Sequence, residues 1–129
     1  MIGQVNTTAF ISALRERVNT ILPTYYEEAP TKEVAFPYAV INGINIIDAD
    51  GCDLASFYID LWADEKQPTA TEQLEQMCDR LRHELNGAVI AVSGVFASHI
   101  GFDNQNIVAD NEYDIAHRRL GLSARIFYN

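Results

Sequence analysis

The residues that could carry chemistry are few and scattered. A metal centre needs several imidazole, thiolate or carboxylate ligands that converge. His83, His99 and His117 lie far apart in the chain, and none has a neighbouring Cys or His at ligand spacing. They read as solvated or hydrogen-bonded histidines. Asp48, Asp50 and Asp53 invite a calcium reading, but an EF-hand loop needs its glycine at the sixth place and a Glu at the twelfth. Here Gly51 comes fourth and Cys52 takes a ligand place, so the segment reads as a tight acidic turn. Ser93 sits in Ala-Val-Ser-Gly-Val, which does not match a G-x-S-x-G nucleophile elbow. There is no P-loop and no dinucleotide fingerprint. Glu27 and Glu28 are adjacent, and on a strand adjacent side chains point to opposite faces, so they cannot share a proton. The expectation is a protein with no catalytic residues, no metal and no cofactor.

Composition narrows the function classes further. A chain of 129 residues suits one domain, residues 1–129, and typically buries about two-thirds of its unfolded surface. With 48% apolar and 21% charged residues, it has enough core formers to fold as an ordinary globular domain. Nine basic residues stand against 18 acidic ones, a formal net charge of −9. Binding to a phosphate backbone or an anionic membrane surface calls for the opposite sign. The longest basic run is Arg118-Arg119. Sequence-specific nucleic-acid binding and membrane binding are therefore not expected. Cys52 and Cys78 show no CxxC spacing and read as free thiols. The start, MIGQVNTTAF, lacks the basic and apolar regions of a secretion signal, and no apolar run approaches the ~20 residues that span a bilayer.

The elements that position these residues follow from periodicity. From Thr7 to Leu22, apolar residues recur at steps of three and four (Phe10, Ile11, Leu14, Val18, Ile21), which predicts a helix capped by Asn6 or Thr7 and ended by Pro23. Thr24 to Glu28 predicts a short strand. Phe36 to Ile47 is rich in β-branched residues and predicts another, with Gly43 marking a bulge or a bend. Asp50-Gly51 is a hairpin signal. In the strand from Leu54 to Ala63, Phe57, Ile59 and Leu61 alternate with Tyr58, Asp60 and Trp62, so both faces carry large groups. Thr69-Ala70-Thr71-Glu72 fits a capping box, and Leu74, Met77, Cys78, Leu81 and Leu85 form the stripe of a second helix stopped at Asn86-Gly87. Ala88 to Ser98 is apolar and β-prone. Arg119 to Tyr128 predicts the last strand, with Leu120, Leu122, Ala124, Ile126 and Tyr128 on one face.

Between the last two lies His99 to His117, long, polar and acidic, which reads as a functional or disordered loop, with 106–109 able to extend the flanking strands. Short connections between strands favour antiparallel pairing. The predicted fold is α+β, a two-layer sandwich with a mainly antiparallel sheet and two amphipathic helices on one face.

Tyr25, Tyr26, Phe36, Tyr38, Phe57, Tyr58 and Trp62 all fall in the first three strands. Alternation sends some of them to the outer sheet face, where Tyr and Trp are favoured contact residues. That face, or a sheet edge, is the expected interface.

The layout resembles the tail terminator, or tail completion, proteins of long-tailed bacteriophages and prophages. The resemblance is carried by the helix ending in Ile21-Leu22-Pro23, by Tyr25-Tyr26-Glu27-Glu28-Ala29-Pro30, by Phe36-Pro37-Tyr38-Ala39-Val40-Ile41, and by Phe57-Tyr58-Ile59-Asp60-Leu61-Trp62. The capped helix and the terminal strand complete an order that covers nearly the whole chain. The resemblance implies a subunit that closes into a hexameric ring, binds the last ring of tail-tube protein, stops its polymerisation and offers a surface to the head–tail connector protein. It also implies assembly in the host cytoplasm and residence in the virion tail. The family carries over no catalytic residues and uses loops and sheet edges for contacts. The candidate interface is Asp103, Asn106, Asp110, Glu112, Tyr113 and Asp114 in the acidic segment, with Arg118, Arg119 and Arg125 as the basic side that pairs with it on the next copy. A head–tail connector or minor tail protein is the nearest alternative. A small regulatory or ligand-binding domain is the alternative of another class.

Overall fold

The computed structural model describes residues 4–30, 34–109 and 115–129. Helix α1 spans Thr7–Asn19 and begins where the Asn6 Oδ1 accepts the Ala9 N–H at 3.1 Å. It ends three residues earlier than the periodicity predicts. Thr20 closes it by donating its hydroxyl to the Arg17 carbonyl, and Leu22 still reaches the core. Strand β1 (Thr24–Tyr26) follows, then β2 (Tyr38–Asp48) and β3 (Asp53–Asp64), joined by the expected Asp50-Gly51 hairpin. In that turn the Asp48 carboxylate accepts the Asp50 N–H at 3.1 Å. Helix α2 spans Ala70–Leu85. Thr69 takes its N-cap position, but the hydroxyl accepts from the Gln73 side chain instead of a backbone N–H, so the predicted capping box does not form. Strands β4 (Val89–Val92), β5 (Phe96–Val108) and β6 (Ile115–Tyr128) complete the chain.

The six strands form one sheet in the order β1-β2-β3-β6-β5-β4. The fold is α+β, as expected, but the sheet is mixed. β1 pairs with β2 in parallel and every other pairing is antiparallel. Thr24 stands opposite Ala39 and Tyr26 opposite Ile41, so the two strands run the same way. The sheet also curls: α1 touches β1 near one edge and β4 and β5 near the other. The expected two-layer sandwich thus takes the form of a curled, half-barrel sheet whose pairings are mainly antiparallel.

Strand periodicity sorts the residues between faces. Phe57, Ile59 and Leu61 of β3 stand in register with Leu122, Leu120 and Arg118 of β6, and all of this row faces the helices. Against it α1 places Phe10, Leu14 and Val18, and α2 places Leu74, Cys78, Leu81 and Leu85. Phe10 meets Phe57 and Phe96 edge-on, with ring centroids 6.2 and 5.9 Å away. Cys78 lies inside this core, where burial first, and the nearby Glu75 second, push its thiol up to about 12. Both cysteines are free.

The segment expected to be a long loop is largely sheet. His99 to Val108 belongs to β5, and Ile115 to His117 opens β6. A bulge between Phe102 and Asn104 shifts the register, which hides the alternation, and the outer-face residues Asn104 and Asn106 make the run look polar. No helix among the described residues is long and apolar enough to cross a membrane.

Candidate functional site

Among the described residues, no layer covers the face of the sheet turned away from the helices, yet that face holds buried ionisable groups. Three rows run across the central strands in register. One is Tyr38, Trp62, His117; the next is Val40, Asp60, Arg119; the third is Asn42, Tyr58, Gly121. All come from alternate positions of β2, β3 and β6, so one face must carry them together.

Asp60 is the centre. It is 1% exposed, and four donor contacts reach its carboxylate. Oδ1 accepts from His117 Nε2 at 2.8 Å and from Arg119 Nε at 2.8 Å. Oδ2 accepts from Asn42 Nδ2 at 2.5 Å and from Arg119 Nη2 at 3.2 Å. The arginine thus grips the carboxylate with both arms of its fork. Burial is the largest influence and on its own would raise the Asp60 pKa. The hydrogen bonds from His117, Arg119 and Asn42, together with the Arg119 charge, overrule it and bring the group down to about 2. Reciprocally, the bond to Asp60 moves Arg119 further up.

Aromatic rings extend the cluster. Trp62 stacks on His117 at 4.4 Å between centroids, Tyr38 stacks on Trp62 at 5.2 Å, and Phe36 and Tyr25 pack on Tyr38. The Arg119 guanidinium lies 4.4 Å over the Tyr58 ring. Tyr58 needs room on its far side, and Gly43 supplies it. A Cβ at 43 would sit 2.8 Å from the Tyr58 ring, and Gly43 holds φ +65 at the β2 bulge, where only glycine is at ease. A shallow concavity of about 230 Å³ opens between Gly43, Tyr58, Asn104 and Gly121.

This geometry is suited to holding rather than reacting. Both Asp60 oxygens are used as acceptors, and a carboxylate titrating near 2 is a weak base and a negligible acid at neutral pH. The cluster ties three strands together where no described helix covers them and presents Phe36, Tyr58 and the edge of the stack to solvent.

Of the nine residues expected at an interface, five are described, and these five do not share one face of the sheet. Asp110, Glu112, Tyr113 and Asp114 lie outside the described residues. Asp103 is exposed at the β5 bulge and accepts from the Ser123 hydroxyl at 3.3 Å. Asn106 is exposed on β5 and donates to the Asn104 side chain. The arginines do not share one side. Arg118 points to the helices, is 7% exposed and pairs with Glu75. Arg119 and Arg125 point the other way, and Arg119 is held by Asp60. Consecutive residues on a strand face opposite sides, so Arg118 and Arg119 could not have formed a joint basic patch. Arg125 is exposed.

Sequence reasoning passed over Asp60, Asn42 and the buried role of His117. One signal was available: an aspartate between Tyr58 and Trp62 in a strand whose neighbours are core residues must find partners or stay unburied. Among the described residues, no group of three or more His, Cys, Asp or Glu is placed to hold a metal.

No protein-family model matches the chain, and no curated protein matches it. Solved structures do share its fold. A chain from the virion of a native gene transfer agent particle superposes with a TM-score of 0.68 at 17% identity, over 92% of this chain and 98% of that one. A second solved chain superposes with a TM-score of 0.70 at 12% identity, over 98% and 99%.

Proposed function

We propose that this chain is a structural subunit of a phage-like particle, of the tail terminator kind: a ring that caps the tail tube, stops its polymerisation and offers a surface for head attachment. The observation that carries the reading is the end-to-end likeness to a chain of a gene transfer agent virion, with almost nothing left over in either molecule. The resemblance in layout to tail terminators supports the finer role. The candidate site supports it too. A rigid, uncovered sheet face held by an ionised carboxylate is suited to contact and unsuited to turnover. In this reading the subunit assembles in the host cytoplasm, closes as a hexamer, and sits in the virion tail between tail-tube protein and head–tail connector protein. No cofactor is involved.

The test is capping. Purified protein is added to polymerising tail-tube protein from the same source, and tube lengths are measured by electron microscopy. Shorter tubes bearing a ring at one end are expected. Tubes of unchanged length with no ring, beside a protein that binds the head connector instead, would replace the terminator reading with a connector one. A monomer that ignores both partners would discard both.

A further inference from the structure

We propose that two open strand edges of this sheet pair head to tail between copies of the chain, so that the segment Ile44–Asp48 of one copy adds to 103–108 of the next. This deepens the ring reading and rests on it.

The sheet is unevenly trimmed at its sides. β1 covers β2 only from Ala39 to Ile41, with one more bond from the Glu27 N–H to the Ile41 carbonyl. Beyond it β2 runs on to Asp48 with β3 on one side and, among the described residues, nothing paired on the other. At the far side β4 covers β5 only from Phe96 to His99. Gly87 and Ala88 then bond Ile100, and the Asn86 side chain accepts the Phe102 N–H. From there to Val108, no described strand pairs with the outer side of β5.

The direction of the backbone groups follows from the bonds already made. Residues 39 and 41 turn their N–H and C=O groups outward to β1, and in an antiparallel ladder such groups alternate. Asn45 and Ile47, opposite Ser56 and Leu54, then bond inward, and Ile46 and Asp48 face out. On β5, Ile100 faces out to Gly87 and Ala88, and past the bulge the outward groups belong to Gln105 and Ile107. Each open edge therefore presents a spaced set of unpaired donors and acceptors.

Natural sheets protect such edges with lysine, proline, inward charges or a covering element. Here lysine, proline and, among the described residues, a covering element are missing from both; a bulge stands at the start of each open stretch, and the only charges, Asp48 and Asp103, stand at the segment ends. No charged residue and no proline occurs from Ile44 to Ile47 or from Asn104 to Val108, in a chain that is 21% charged. Both edges carry exposed isoleucine instead: Ile47 is 55% exposed and Ile107 75% exposed. Two open edges of similar length on one molecule, differing in sequence, make a heterologous contact, which is the kind that closes rings.

Strand direction agrees. Stepping across the sheet through antiparallel pairs, β5 runs opposite to β2. A neighbouring copy set side by side would then extend the sheet by one more antiparallel pairing. The open part of β2 lies near the β2–β3 turn, and that of β5 lies near the opposite end of the strands. Successive copies are thus offset along the strands, an offset that tilted strands absorb when a sheet closes on itself.

The experiment uses the whole chain and two variants, Ile47→Lys and Ile107→Lys, each placing a charge on one edge at an exposed position. Sedimentation velocity over a concentration series reads assembly, and circular dichroism confirms that both variants fold. Wild type should form closed rings, and each variant should lose them, with self-association weakened at least tenfold. Mixed one to one, the variants still share one intact pair of edges, so they should form two-subunit species and stop there. If wild type forms rings and both variants form them equally well, the edge pairing is wrong and the ring reading survives. A mixture that stays monomeric also rejects the pairing. Wild type that stays monomeric at every concentration removes the ring and the pairing together.

Discussion

On one side of β3, Phe57, Ile59 and Leu61 disappear beneath two helices; on the other, no described element lies over Tyr58, Asp60 and Trp62, and Asp60 is just as buried. The first side is ordered by apolar area removed from water, at about 25 cal/mol per Å². The second is ordered by a carboxylate whose acceptors are all engaged and by rings stacked in register over it. The contrast shows how a thin domain can order a broad face without an apolar layer over it. The face must be rigid without being covered, and a hydrogen-bonded charge cluster does this where an apolar layer would need a second set of helices.

The strongest way to break this comparison is to remove its central group. Asp60→Ala leaves His117 and Arg119 partly buried without their acceptor. We expect a loss of about 3–5 kcal/mol, the usual result of breaking a buried ion pair from one side. Phe57→Ala on the opposite face should cost a similar amount, about 3–5 kcal/mol. Denaturant unfolding of both variants checks the claim. A loss below about 1 kcal/mol for Asp60→Ala would mean that the helix side alone sets the fold, since surface ion pairs are worth that little.

The pH dependence sharpens the same point. Asp60 titrates at about 2 in the folded chain against an ordinary 3.8. Its folded pKa is depressed, so the stability it contributes is fully present above 3.8 and is lost as pH falls from there towards 2. Unfolding free energy should therefore fall across that acid window in the native chain. The Asp60→Asn variant should lack this component, which a denaturant series at several pH values will show. Identical acid profiles for the two proteins would remove Asp60 as the charged anchor.

Arg119→Ala tests the fork. Asp60 would keep His117 and Asn42 but lose its cation, and Tyr58 would lose the guanidinium above it. We expect about 1.5–3 kcal/mol, the range for hydrogen bonds to a charged group. Arg119→Lys should recover part of this, because a lysine restores charge but not two parallel bonds. Equal losses for the two variants would mean that shape, not charge, is what Arg119 supplies.

How much of this was readable from the chain differs between the two faces. The helix side is repetitive: steps of three and four gave α1 and α2, and steps of two gave the inner rows of β3 and β6. The Asp50-Gly51 turn and the Gly43 bulge were also legible, because local backbone demands select those residues. The outer face was not. Asp60 meets its ion-pair partners on a strand far away in sequence, and no local pattern encodes the β3–β6 register. The β5 bulge broke the alternation that would have revealed a strand, so sheet was read as loop. The parallel placing of β1 is likewise a long-range choice.

The smallest expected effect on folding separates the interface proposal from the fold. Of the three arginines expected at the contact, Arg118 and Arg119 each hold a partner inside the subunit, so reversing either would disturb the fold and the assembly together. Arg125 is exposed on the uncovered face beside His99 and Leu54. Arg125→Glu should change unfolding free energy by no more than about 0.5 kcal/mol, as surface exchanges usually do. If the uncovered face meets a neighbour's acidic segment, the same exchange should weaken self-association, and more so at low salt, because exposed charges are screened over about 10 Å at 0.1 M. Sedimentation at two ionic strengths reads this directly. Unchanged association at both would place Arg125 outside the contact and leave the edges of the sheet as its seat.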